Sequence, residues 1–323
     1  MRKNAGFNGL ILCFLLPLLS CSRADLKLGF YYQSCPNAEK IVFDYVEKHI
    51  PHAPTLAAPL LRMHFHDCFG CDGSVLINST VKNRAEKAAV PNLTLRGFDF
   101  IDEIKGLVEE ECPGVVSCAD ILALTARDAV AVIGGPYWNV PTGRRDGLIS
   151  NMVEALNNIP APTFNLSTLQ KSFASKGLDA HDLVLLSGAH TIGIGHCQFF
   201  SNRLYNFTGK LDEDPSLDPL YAANLKKYKC KTPTDTTIVE MDPGSFRTFD
   251  LGYYKLLLKR RGIFQSDAAL TTTGATKAKI EQLVYGLLEV FFNEFGRSME
   301  KLGRVEVKTG EEGEIRRHCA VVN

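Results

Sequence analysis

The sequence predicts a mainly α-helical fold, and three observations carry that reading. Apolar residues recur at helical spacing along much of the 323-residue chain. The periodic runs stop at helix-ending residues: Cys112-Pro113-Gly114, Gly134-Gly135-Pro136, Gly177 and Gly262. Strand patterns are few. The length suffices for one large domain or two lobes, and 45% apolar with 22% charged residues is the composition of a soluble globular protein. Lys+Arg and Asp+Glu both number 36, so no overall field favours nucleic acid or an anionic membrane. The clusters Glu109-Glu110-Glu111 and Lys259-Arg260-Arg261 read as solvated helix faces or ends.

Residues 1–24 read as a secretory signal. Arg2 and Lys3 precede an apolar run from Leu10 to Leu19, and Ser22-Arg23-Ala24 offers small residues before a cut. The run is too short to span a membrane, and no later run is long enough to anchor the chain. Cleavage leaves residues 25–323 with 33 basic and 36 acidic residues, a net charge of −3. Of ten cysteines, eight remain: Cys35, Cys68, Cys71, Cys112, Cys118, Cys197, Cys230 and Cys319. An even number in a secreted chain implies four disulfides, whose pairing the spacing leaves open. Sequons stand at Asn78, Asn92, Asn165 and Asn206.

Leu60 to Asp67 is taken as helical, with Pro59 a kink or its first turn. Arg62 and His66 lie four apart and share a face, whereas His64 and His66 do not. Phe100, Ile101, Ile104, Leu107 and Val108 form an apolar helical stripe. The next helix starts at Ser117, with Asp120 three residues later as a capping box, and runs to Ile133. Trp138 to Pro141 is extended, and the loop at 140–165 is a candidate lobe boundary. Ser167 to Lys176 is helical and closed by Gly177. His181 to Leu186 is a short apolar helix, residues 206–219 are loop, and Tyr253 to Arg260 is a helix. Lys277 to Leu302 reads as the longest helix. Gly193-Ile194-Gly195 lacks the third glycine and the β-rich strand of a phosphate loop.

Four constellations carry possible chemistry. Arg62, Phe65 and His66 pair a near-neutral base with a permanent cation, which suits proton transfer beside developing negative charge. His190 follows an apolar helix in Ser187-Gly188-Ala189-His190-Thr191. Asp242 to Asp250 spaces oxygen donors as a hard-cation loop does. Asp267 sits just after the Gly262 turn. Each has a blander reading, as a cap, a turn or a satisfied polar residue.

Together they resemble one family. Leu61-Arg62-Met63-His64-Phe65-His66-Asp67-Cys68-Phe69 resembles the distal signature of secreted plant haem peroxidases, the class III group. Leu186 to Gly193 resembles its proximal signature. Val116 to Asp120, Gly134 to Trp138 and Gly143 to Asp146 follow in the family's order. The resemblance runs from Tyr31-Tyr32 to the C-terminal Arg316 to Asn323.

The resemblance implies about ten helices in a distal and a proximal lobe, with one haem b between them. It implies His190 as the axial iron ligand, with Asp267 accepting its other ring N–H. His66 would be the acid–base residue, Arg62 the charge stabiliser and Asn92 the acceptor that orients His66, which would leave the Asn92 sequon unmodified. Pro160 and Phe199 would line donor access. The pairing would be Cys35–Cys112, Cys68–Cys71, Cys118–Cys319 and Cys197–Cys230. A proximal calcium would use Thr191, Asp242, Ser245, Thr248 and Asp250.

Members of the family normally have two more residues, a valine and a variable one, between Phe69 and Gly70. The distal calcium would use Asp67, Gly70, Asp72 and Ser74, with Glu86 behind water, and the shortened loop removes one ligand. The expectation is therefore intact haem chemistry with a weak or absent distal calcium. The implied function is reduction of hydrogen peroxide coupled to two one-electron oxidations of phenolic donors, with roles in cell-wall chemistry and the oxidative stress response. The implied protein is an extracellular or vacuolar monomer. The alternatives are a catalytically weakened extracellular glycoprotein of the same fold and a haem-free calcium- or ligand-binding module.

Overall fold

The computed structural model describes residues 26–323, so the expected signal at 1–24 lies outside the described residues. Thirteen α-helices and one two-stranded sheet form the regular structure of these residues. The first four helices are α1 (Ala38–His49), α2 (Ala57–Asp67), α3 (Phe98–Glu111) and α4 (Cys118–Val132). α1, α2 and α3 all pack on α4, whose residues 118–130 are all buried. A helix covered on every side has no solvated face, so its charged residues Asp120, Arg127 and Asp128 are buried in ion pairs.

The second half contains α5 (Met152–Asn158), α6 (Leu166–Ser175), α7 (Ala180–Ser187), α8 (Ser201–Tyr205) and α9 (Pro219–Tyr228). α10 (Gly252–Leu258), α11 (Gln265–Ala269), α12 (Gly274–Tyr285) and α13 (Leu288–Leu302) complete it. Strands β1 (Ile194–His196) and β2 (Ile238–Glu240) pair antiparallel, with Gly195 opposite Val239. Gly193-Ile194-Gly195 thus belongs to a strand and its approach. The thirteen helices exceed the ten or so that the resemblance implies, and two of them, α8 and α11, are only five residues long.

The structure departs from the sequence reading in several places: α5 lies inside the stretch expected as loop at 140–165, and α10 ends at Leu258 rather than Arg260. The stretch expected as one helix from Lys277 to Leu302 is two, broken at Gly286 and Leu287. A Cβ at Gly286 would meet the Gln282 carbonyl oxygen at 2.8 Å, so the bend needs glycine. The break lets α12 pack on α7 and α10 while α13 also packs on α7. α6 starts at Leu166, because Asn165 Oδ1 accepts from the Thr168 amide at 2.9 Å and caps it. At α4, Ser117 Oγ accepts from the Asp120 amide as the motif predicts. Asp120 does not close the box. Its carboxylate accepts instead from Tyr31, the Gly143 amide and Arg144, each at 2.7 Å.

One main core joins α1–α4 to α7, α10, α12 and α13, and a smaller one lies under β1, β2, α8 and α9. The disulfides are Cys35–Cys112, Cys68–Cys71, Cys118–Cys319 and Cys197–Cys230. To close the two-residue link, Cys71 adopts φ +34°, a left-handed conformation that costs a non-glycine residue energy.

Candidate active site

α2 ends in the loop at Cys68 and carries Arg62, Phe65 and His66 into a cavity of about 1000 Å³. Its lining is mostly apolar, and its size is at the upper end for ligand pockets. His64 does not line it. Burial, then Arg144, push His64 down to about 3, so it is a neutral core residue packed on the Cys68 sulfur.

One short segment orients both polar residues of α2. Asn92 Nδ2 donates to the Glu86 carbonyl at 2.8 Å, which turns its Oδ1 toward His66 Nδ1 at 2.5 Å. His66 must then donate from Nδ1, and Nε2 keeps its lone pair. Arg62 donates to the Pro91 carbonyl at 2.6 Å and to Thr94 Oγ1 at 3.0 Å. Burial, then the Arg62 charge, hold the His66 pKa well below the ordinary histidine value, against the opposing pull of Asn92. Burial lowers Arg62 to about 10, which leaves it cationic at neutral pH. Asn92 is 2% exposed with both amide atoms engaged, so its sequon has no room for a glycan. Asn78, Asn165 and Asn206 are exposed.

The same cavity takes in His190, in the turn after α7. Its Nδ1 lies 2.8 Å from Asp267 Oδ1, and the His190 side chain is 39% exposed. Asp267 is fixed in turn. Its Oδ2 accepts from the Phe264 amide at 2.9 Å, and its Oδ1 also accepts from the Tyr253 hydroxyl at 2.9 Å. His190 therefore presents Nε2, without a hydrogen-bond partner among the described residues, to the space that His66 also faces. Pro160 and Phe199 line this cavity as well.

Beyond α2 lies a second cavity of about 320 Å³, lined by Asp67, Gly70, Asp72, Ser74, Glu86, Glu154 and Lys308. Asp67 Oδ2 accepts from the Gly73 amide at 3.1 Å, while the buried Oδ1 has no partner. Burial, then Asp72, raise Asp67 to about 7, and burial raises Glu86 to about 8. Lys308 Nζ reaches Asp72 Oδ2 at 3.3 Å. On the other side of the molecule's sequence, Asp250 accepts from Thr191 Oγ1 at 3.2 Å and Ser245 Oγ at 2.8 Å. Asp242 is raised to about 6 by burial and then by Asp250, and its Oδ2 is buried without a partner. Thr248 is tied to this loop through its amide, which donates to the Ser245 carbonyl at 2.8 Å.

Sequence reasoning did not find Thr94, Tyr253, Glu154 or Lys308. Tyr253 lies in an ordinary apolar helix, and Lys308 is a single lysine in a polar segment. Neither carries a local pattern that marks it.

The model of the family described as "Peroxidase" matches residues 42–285. Peroxidase 3 of Arabidopsis thaliana is 62% identical over 313 residues, covering 96% of each chain. Peroxidase 39 of the same plant is 61% identical over 318 residues, covering 97% of this chain and 98% of its own. Peroxidase 1 of Oryza sativa subsp. japonica is 52% identical over 308 residues, with 94% of each chain covered.

Proposed function

The chain belongs to the peroxidase family, in its class III group of plant haem peroxidases, and on that premise we propose which residues carry its reaction. The observation that carries the proposal is one cavity into which two oriented imidazoles, His66 and His190, each present a free Nε2. The cavity is large and mostly apolar, His190 is held by a buried carboxylate, and the set suits haem b, whose iron His190 would hold. When bound, haem supplies the redox centre at which the peroxide O–O bond is cleaved.

His66 takes the proton from the incoming peroxide at Nε2 and returns it to the departing oxygen. Asn92 keeps that nitrogen unprotonated at rest. The Arg62 guanidinium, held in place by the Pro91 carbonyl and Thr94, stabilises the negative charge that grows on the separating oxygen. Asp267 strengthens His190 as a donor. Phenolic donors approach past Pro160 and Phe199, each giving one electron and one proton. Two donors and one peroxide thus yield two phenoxyl radicals and two waters. The weakened-glycoprotein alternative gains no support, since Arg62, His66 and Asn92 all keep their partners despite the short loop. Secretion to the extracellular space is the destination this reading assigns. No helix among the described residues is long and apolar enough to cross a membrane.

Calcium suits the two acidic sites unequally. Thr191, Asp242, Ser245 and Asp250 converge, and the orphan Asp242 Oδ2 is available to a hard cation. Asp67, Gly70, Asp72 and Ser74, backed by Glu86, also surround an orphan oxygen, but Lys308 already places a positive charge on Asp72. Calcium analysis of the purified haem-loaded protein is expected to give one tightly held ion per chain. Two tightly held ions would refute the inequality.

The deciding experiment is expression with haem and calcium, followed by a spectrum and a peroxide titration with a phenol. A Soret band and peroxide-dependent phenol oxidation are expected. Correctly folded protein that takes up no haem would overturn the assignment.

A further inference from the structure

Asp267 Oδ1 accepts two hydrogen bonds, from His190 Nδ1 at 2.8 Å and from the Tyr253 hydroxyl at 2.9 Å. Tyr253 and Asp267 are each 1% exposed, so no bulk water competes for that oxygen. The Tyr253 ring also meets the His190 imidazole edge-on, with centroids 5.6 Å apart. A buried tyrosine hydroxyl needs some acceptor, and Asp267 could be no more than that. What distinguishes this one is the atom it chose. Donors sharing one carboxylate oxygen divide its electron density, so each holds it less strongly than it would alone.

We propose that Tyr253 is a positioning residue for His190: by sharing Asp267 Oδ1 it limits how far the carboxylate polarises the imidazole, and so sets its donor strength. The proposal rests on His190 being the iron ligand. Removing the hydroxyl leaves Oδ1 to His190 alone. The imidazole then gains anionic character, binds iron more strongly and favours the ferric over the ferrous state.

The test is Tyr253→Phe in the haem-loaded full chain, a change that keeps the ring and its contacts. The iron–histidine stretch of the ferrous protein, read by resonance Raman, is expected to move to higher wavenumber. The ferric/ferrous midpoint potential is expected to become more negative. In an Asp267→Asn background the same substitution is expected to move neither, because the carboxylate it acts through is gone. A stretch present in the parent but unmoved in Tyr253→Phe overturns the proposal and leaves His190 as ligand. Equal shifts with and without the Asp267 carboxylate also overturn it, since ring packing would then be the cause. Absence of the stretch in the parent protein removes both His190 as ligand and the proposal.

Discussion

Replacing His66 by leucine is expected to slow the reaction with peroxide by about 10²–10⁴-fold, the usual worth of a positioned general acid–base group. Leucine fills similar space on α2, so Arg62 and Phe65 stay in the cavity wall and folding is spared. What disappears is the nitrogen on α2 that can take a proton and return it. The pH dependence follows from the same geometry. His66 acts as a base only when neutral, so the rate is lost as pH falls through its pKa. Burial and Arg62 hold that pKa well below the ordinary histidine value. The rate constant for peroxide is therefore expected to be level through neutrality and to decline only in distinctly acid solution. Rapid-mixing measurement of that constant across pH, for both proteins, checks both statements. A leucine variant as fast as the parent would remove His66 from the mechanism.

Replacing Asp146 by alanine is expected to destabilise the fold by about 3–5 kcal/mol, the cost of stranding a buried charge. Asp146 is fully buried between the start of α4 and the C-terminal segment. Its Oδ2 accepts from the amides of Cys118 at 3.1 Å and Arg316 at 2.9 Å, and its Oδ1 from the Ala119 amide at 2.9 Å. The Arg316 guanidinium, also fully buried, lies 3.6 Å from Oδ1. Burial raises the Asp146 pKa even against Arg316 and the three amides, so the pair gains little over a neutral core. The loss in alanine comes from what is left behind: three buried N–H donors and a guanidinium without its carboxylate. Denaturant unfolding with the disulfides intact measures it. A loss below about 1 kcal/mol would show that Arg316 is satisfied by the carbonyls of Gly73 and Cys319 that it also contacts.

The helices with a clear apolar stripe, α3 and α4, were legible to within a residue or two, and so was the Ser117 cap. Those features depend on residues a few positions apart, whose spacing fixes which face turns inward. The long C-terminal stretch misled because its apolar pattern survives across Gly286 while its backbone does not. Asn92 was reached only through the family resemblance, and Asp267, singled out as an acid after the Gly262 turn, was paired with His190 only through it. They lie 26 and 77 residues from the histidines they hold.

By itself, then, the sequence determined the helical class, the limits of α4, α6 and α7 to within a residue, and the shared face of Arg62 and His66, because an i, i+4 relation is a property of one helix. Tertiary structure alone decided that Thr94 and the Pro91 carbonyl hold Arg62, that Tyr253 shares Asp267 with His190, and that Lys308 enters the acidic cavity. Such pairings arise when separate segments are buried together and each polar atom must find whichever partner the packing brings within reach. No pattern within either segment encodes that choice.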